Sequence, residues 1–336
     1  MILPIHLPRN SYDVILQRGA LAHAGEYLAL DRRVLIVTDD GVPAACAAAI
    51  ASQCAAPVTV TVEQGERSKS LQTLEMLLRA MLTNDFTRRD CVVAVGGGMA
   101  GDLAGFAAAV YMRGVDFYNV PTTLLAQVDS SIGGKTAVDL DGIKNVIGSF
   151  YQPRRVLIDP DVLSTLPRRQ LSAGLAEAMK MGLTSDAALF ALFETEDPAA
   201  RLDEIIWRSL RIKADVVMQD EKEQGLRRIL NFGHTLGHAI ESCEGLKELL
   251  HGECVALGML PMCAPPVRRR VRKALERLSL PTRCNAEDGA LLAALRHDKK
   301  TAGRHITVVT VPQVGQWEMQ ELSPEQVLAL LREETA

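Results

Sequence analysis

Cys91-Val92-Val93-Ala94-Val95-Gly96-Gly97-Gly98-Met99-Ala100-Gly101-Asp102 is an apolar, β-branched run that enters three glycines and then a helix-forming stretch. An unbroken apolar run suits a strand covered on both faces. Glycine lets a backbone approach a phosphate closely, and the helix that follows offers free N–H groups at its positive end. The turn therefore suits a pyrophosphate, although a plain tight connection would use the same residues. Its spacing is not G-x-G-x-x-G. Asp102 either caps the helix or meets a cofactor hydroxyl.

Outward from this turn the alternation repeats. Segments 34–37, 58–62, 116–121 and 155–159 read as short strands, and 69–81 and 100–111 have helical periodicity. The pattern predicts an α/β domain with a parallel sheet over residues 1–165. From 166 to 336, 3.6-period segments take over at 168–193, 198–220, 227–245, 251–263, 268–278 and 287–296, with one strand-like run at 306–311. A mostly α-helical C-terminal domain is expected there. Arg268-Arg269-Arg270 with Arg272 and Lys273 reads as a solvated helix face.

At 336 residues the chain exceeds what one hydrophobic core usually serves. It is 48% apolar and 23% charged with net charge −4, so nothing favours nucleic acid. No apolar run reaches the roughly 18 residues that span a bilayer, and Met1-Ile2-Leu3-Pro4 has no basic leader, so neither membrane nor secretion is expected. Seven cysteines without a C-x-x-C pair fit a reducing cytoplasm. Cys243 and Cys254 read as buried thiols, or alternatively as soft ligands for the histidines beside them.

Three of the seven histidines fall within 234–251. His234 and His238, four apart, project from one helix face, and neutral imidazole is the commonest metal ligand. Spacing alone selects these two, with a carboxylate from elsewhere completing an open divalent site. Ordinary helix packing is the competing reading. Glu177 and Lys180 lie three apart on an apolar helix; they either pair or line a cavity. Thr122 and Thr123 follow a strand as caps or ligand contacts. Lys135, after Gly133-Gly134, and Lys144-Asn145 look like an anion cradle on irregular backbone. The first glycine of an ATP-binding phosphate loop is missing, with Val128 in its place.

Together GGGMAGD (96–102), VPTTLLAQVDSSIGGKTAVD (120–139), KNVIGSFYQP (144–153), GLAEAMK (174–180), RRILNFGHTLGHAIE (227–241), HGECVALGM (251–259) and HDKK (297–300) resemble the 3-dehydroquinate synthases, sugar-phosphate cyclases of the shikimate route to chorismate and aromatic amino acids. The resemblance runs from about 30 to 311. It implies a nucleotide-binding α/β domain, a helical domain, an active site in the cleft between them, tightly held NAD, one zinc or cobalt ion, and a homodimer. The metal ligands become Glu177, His234 and His251, which moves His238 to substrate. NAD falls to Asp39, Gly65, Glu66, Lys69, Gly97, Gly98, Met99, Ala100, Gly101, Asp102, Thr122, Thr123, Lys135, Lys144, Leu163 and Thr165. The phosphorylated sugar acid falls to Arg113, Asp129, Lys135, Lys144, Asn145, Lys180, Lys213, Arg227, Asn231, His238 and Lys299 or Lys300. Lys180, Lys135, Glu223, His238 and Asn231 carry catalysis.

The implied reaction takes 3-deoxy-D-arabino-heptulosonate 7-phosphate to 3-dehydroquinate and phosphate. It proceeds by transient oxidation, elimination, reduction, ring opening and aldol closure. Related cyclases act on glucose 6-phosphate or sedoheptulose 7-phosphate, and metal-dependent alcohol and glycerol dehydrogenases share the two-domain plan. Two departures stand out: Gly41 replaces the family's usual Asn, and the passage after Met259 is short and rich in proline.

Overall fold

A computed structural model describes residues 1–243, 248–298 and 305–335. The chain divides into two compact units, Met1–Leu166 and Pro167–Ala336. In the first, nine strands and four helices follow in the order β1 (Ile2–Ile5), β2 (Tyr12–Leu16), α1 (Ala24–Tyr27), β3 (Arg33–Asp39), α2 (Ala44–Ala51), β4 (Ala56–Val62), α3 (Leu71–Thr83), β5 (Cys91–Gly96), α4 (Gly98–Val110), β6 (Asp116–Pro121), β7 (Lys135–Leu140), β8 (Ile143–Phe150) and β9 (Arg155–Ile158).

Seven strands form one sheet in the order β1-β2-β9-β6-β5-β3-β4, parallel throughout except for the β1–β2 edge pair. β5, the opening stretch, lies between β6 and β3 and is buried along its whole length. One face packs Leu35, Val92 and Phe117 against Leu74, Leu77 and Met81 of α3 and Leu103 and Ala107 of α4. The other packs Ile36, Val93 and Leu157 against Cys46, Ala47 and Ile50 of α2 and against Leu28 and Leu30. The parallel α/β expectation holds: apolar runs with no polar face need cover on both sides.

The anion cradle on irregular backbone needs correcting. Lys135 opens β7, and Lys144 and Asn145 lie in β8; the two strands pair antiparallel across the Asp141-Gly142 turn. Thr136, Ala137 and Val138 are buried in succession along β7, and the pairing with β8 satisfies the backbone.

The second unit contains α5 (Arg168–Ser185), α6 (Ala187–Thr195), α7 (Leu202–Gln219), α8 (His234–Glu241), α9 (His251–Met259), α10 (Pro265–Arg277), α11 (Asp288–Asp298), β10 (Ile306–Gln313), β11 (Gln316–Leu322) and α12 (Pro324–Thr335). Two expected helices are broken. Asp186 ends 168–193 early because its carboxylate accepts from the N–H groups of Ala188 and Leu189 at 2.9 and 3.1 Å, starting a new helix. Gly233, at φ 77°, interrupts 227–245 between a 3₁₀ turn and α8. A partner strand, β11, and a final helix, α12, were not anticipated.

The proline-rich passage after Met259 is a short link. Ala264 N–H donates to Val311 O at 3.0 Å, and Pro265-Pro266 occupy the first turn of α10, where a missing N–H costs nothing. The basic run on α10 is more than a solvated face. Arg270 makes two 2.7 Å bonds to Glu194 of α6, and Arg268 donates to the carbonyl of Cys263 at 3.1 Å.

Candidate active site

Within the second unit, α5 is buried on all sides from Ser172 to Thr184, so its polar side chains cannot reach water. Glu177 and Lys180, one turn apart, are 1% and 2% exposed, and Lys180 Nζ lies 2.5 Å from Glu177 Oε2. They pair, and they also line a site. Lys180 Nζ is 3.5 Å from His234 Nε2, while Glu177 Oε1 is 3.8 Å from His234 Nε2 and 3.5 Å from His251 Nε2. The lysine and His234 are within hydrogen-bonding distance, and neither Glu177 oxygen accepts a hydrogen bond among the described residues. A buried carboxylate with acceptor capacity to spare beside two imidazoles suits a bound cation.

Both imidazoles begin a helix, His234 at the start of α8 and His251 at the start of α9. Close backbone packing brings these starts to Glu177. A Cβ on Gly252 would stand 2.1 Å from Ala173 O of α5, and one on Gly258 would stand 2.0 Å from Gly233 O. The α9 start is also fixed by Glu253, which accepts from Leu250 N–H at 2.8 Å and from Arg169 at 2.6 and 2.7 Å. Nδ1 of His234 sits 3.2 Å from Phe232 O, leaving Nε2 toward Glu177. His238 joins the cluster, its ring 5.3 Å from His234 and 5.6 Å from His251, and one ligand atom from each of the three histidines falls within 4.8 Å of the others.

A tetrahedral ion with bonds of about 2.0–2.2 Å holds its ligand atoms about 3.4 Å apart. The spacings from Glu177 to His234 and His251 therefore fit a divalent metal. The charge state of His234 fits as well. Burial, then Lys180 and the other two imidazoles, hold His234 well below the usual histidine range, so it is neutral. Burial opposes charge on His251 too, but Glu241 and Glu177 outweigh it and its value is raised.

Asn231 and Arg227 lie on the 3₁₀ turn Leu226–Asn231 ahead of α8. Asn231 Nδ2 donates to Glu223 Oε1 at 2.8 Å. These two line a cavity of about 360 Å³ with Lys222, Arg228, Thr235 and Thr307. Arg227 is 2% exposed; Asp220 accepts its backbone N–H at 3.0 Å and Glu221 O accepts its guanidinium at 2.5 Å. Lys213, on α7, is also buried. Lys299 and Lys300 lie outside the described residues.

Sequence reasoning overlooked Thr235 at this cavity and Glu241 beside His251, and gave Arg228 only as part of a polar run ahead of the histidine helix. Glu241 had a readable signal: it follows His234 by seven and His238 by three, on the same helix face.

In the first unit the glycine turn gathers several expected nucleotide residues. Gly97 precedes α4 with no side-chain cap, leaving the first N–H groups of Gly98, Met99 and Ala100 to a ligand. Gly97 faces Thr123, 3.2 Å from where a Cβ would sit, and Thr122 N–H donates to Gly96 O at 2.9 Å. Thr123 Oγ1 accepts from Ala126 N–H at 3.2 Å, a capping role. Asp39 lies against the same turn, 3.3 Å from a Cβ at Gly96, and burial pushes its carboxyl upward.

Lys69 is 4% exposed and ties three segments together. Its ammonium contacts Asp102 at 2.7 Å, Glu66 at 3.4 Å and Asn145 at 2.5 Å. Burial disfavours its charge, yet Asp102 and Glu66 prevail and raise its pKa. Gly65, at φ 107°, precedes Glu66. Arg113 follows Met112 in a left-handed turn at φ 66°, and Asp129 sits on a π-turn, Ala126–Ser130. Leu163 and Thr165 lie apart from this group in sequence, on the 3₁₀ turn after β9, where Thr165 Oγ1 donates to Val162 O at 2.9 Å. At Gly41 a Cβ would meet only the end of the exposed Gln64 side chain, at 2.3 Å, which can move aside, so packing does not require glycine there.

Comparisons with known proteins place the chain in a family. A family model described as 3-dehydroquinate synthase N-terminal matches residues 59–173, and one described as 3-dehydroquinate synthase C-terminal matches 174–301. A 3-dehydroquinate synthase of Streptococcus suis is 40% identical over 99% of this chain and 100% of its own; one of Enterococcus faecalis is 41% identical over 99% of each. Among solved structures, a 2-deoxy-scyllo-inosose synthase complexed with carbaglucose-6-phosphate, NAD+ and Co2+ superposes with TM-score 0.88 at 25% identity, covering 99% of this chain and 100% of that one. A 2-epi-5-epi-valiolone synthase from Streptomyces hygroscopicus with NAD+ and Zn2+ bound also gives 0.88, at 29% identity and 98% of each chain. A probable glycerol dehydrogenase from Sinorhizobium meliloti shares the fold alone, at TM-score 0.65 and 16% identity over 96% of this chain and 97% of that one. The chain belongs to the 3-dehydroquinate synthase family.

Proposed function

We propose that this enzyme converts 3-deoxy-D-arabino-heptulosonate 7-phosphate to 3-dehydroquinate and phosphate, using NAD and one zinc or cobalt ion. The observation that carries the reading is the convergence of Lys180, His234 and His251 around the buried Glu177 carboxylate, in a chain 40% identical over 99% of its length to a 3-dehydroquinate synthase. Bound NAD accepts and returns a hydride, and a bound divalent ion polarises the oxygen it touches.

Glu177, His234 and His251 hold the ion. Lys180, a cation kept dry beside them, donates a hydrogen bond to the substrate oxygen at the oxidised carbon and steadies charge there. Once that carbon is a ketone the neighbouring C–H is acidified, and phosphate leaves by elimination. The departing phosphate takes the proton itself, so the protein supplies cations rather than a dedicated base. Lys213, Arg227 and His238 neutralise the phosphate and carboxylate, a role the family resemblance also assigns to Arg113, Lys135 and Lys144. Asn231, oriented by Glu223, and Asp129 with Asn145 fix the hydroxyls. Reduction, ring opening and aldol closure then need orientation more than acid–base power.

The first unit would bind the dinucleotide: the α4 start would take the pyrophosphate, and Asp39, Glu66, Lys69, Asp102, Thr122, Thr123, Leu163 and Thr165 would hold the rest. A homodimer in the cytoplasm completes the reading; among the described residues no helix is long and apolar enough to cross a membrane. Phosphate release from the heptulosonate phosphate, followed together with NADH absorbance, tests it. Release that stops with chelator and leaves no net NADH is expected. Net NADH would indicate a dehydrogenase instead.

A further inference from the structure

We propose that Glu241 is a positioning residue: its carboxylate accepts the Nδ1–H of His251 and so presents Nε2 to the ion shared with Glu177 and His234. The inference rests on the metal reading above. Glu241 Oε2 lies 3.3 Å from His251 Nδ1, while Nε2 of the same ring lies 3.5 Å from Glu177 Oε1. The ring is held on both sides, and its tautomer follows from the Glu241 contact.

His251 needs such a partner more than His234 does. His234 is turned by the carbonyl of Phe232, two residues away across the Gly233 turn. His251 opens α9, where Glu253 and Gly252 fix the backbone; its ring packs against His234, 5.2 Å between centroids, and Glu241 is what meets its Nδ1. Glu241 is the last residue of α8, so its contact ties the end of one ligand-bearing helix to the start of the next. Carboxylate–histidine–metal arrangements raise ligand basicity, and losing the outer carboxylate typically lowers metal affinity by about 10–100-fold.

The test uses the full chain with NAD present, stripped of metal and titrated with Co2+ while its visible absorption is read. Glu241→Ala is expected to weaken Co2+ binding by about 10–100-fold. Glu241→Gln, whose amide oxygen still accepts, should stay close to wild type. At saturating Co2+, Glu241→Ala should recover kcat with KM for the sugar phosphate unchanged. A merely structural role would instead lower the heat stability of all forms and leave Co2+ affinity alone.

Unchanged Co2+ affinity in Glu241→Ala, while His234→Ala loses it, would overturn the inference and leave the metal site standing. Equal losses in Glu241→Gln and Glu241→Ala would overturn the accepting role. Co2+ affinity that survives intact in His234→Ala would remove the metal reading itself, and this inference with it.

Discussion

Replacing Gly252 by alanine should dismantle the metal site without touching a ligand. The added Cβ would lie 2.1 Å from Ala173 O, a backbone atom of α5 that cannot rotate away. An ordinary carbon–oxygen contact needs about 3.3 Å, so α9 must retreat by roughly 1 Å. His251 is the next residue back, 3.5 Å from Glu177, and moves with the helix. Metal ligands tolerate displacements of only about 0.2 Å, and misplacements near 1 Å commonly cost about 100-fold in rate. Overpacking itself should cost about 1–3 kcal/mol of stability. Co2+ titration of the full-length variant, beside thermal unfolding, separates the two effects. Wild-type Co2+ affinity in Gly252→Ala would refute the claim that this close approach sets the ligand geometry.

Other consequences can be checked with standard assays. Lys69→Met should leave Asp102 and Glu66 without their shared cation and weaken NAD binding at least tenfold by calorimetry; unchanged affinity would detach this cluster from the dinucleotide. Burial favours the neutral form of Asp116, but hydrogen bonds from Arg32 and Arg154 outweigh it and lower its pKa. Its stabilising contribution is therefore complete above the unfolded value near 3.9 and fades as pH falls through the lowered folded value. Asp116→Asn should flatten the acid side of the stability–pH curve, as read by denaturant midpoints; an unaltered curve would contradict the pairing. A Cβ on Gly289 meets nothing within 4 Å, so Gly289→Ala in the first turn of α11 should leave melting temperature unchanged or raise it slightly, whereas a clear fall would show crowding the packing does not contain.

The parallel sheet was legible because each central strand is a local apolar run ended by a turn signal, as at Val95-Gly96 and Asp39. Breaks within helical stretches were harder to read, since 3.6-residue periodicity continues across Asp186 and Gly233 although their capping chemistry ends the helix. The β7–β8 hairpin hid behind its exposed second strand, where Ile143, Val146 and Phe150 face solvent and Asn145 takes a left-handed φ of 57°. At the site, spacing chose His234 with His238, which do lie together on α8. It could not supply Glu177, because the α5–α9 approach through Gly252 is a tertiary contact. Only the family resemblance singled that carboxylate out.

The most direct test of the central claim is to locate the ion itself, by anomalous scattering from crystals of the Co2+-loaded chain. One ion bonded to Glu177, His234 and His251, with His238 free of it, is the predicted result. An ion bonded to His234, His238 and His251 with Glu177 still paired to Lys180, or no ion near α5, would contradict it.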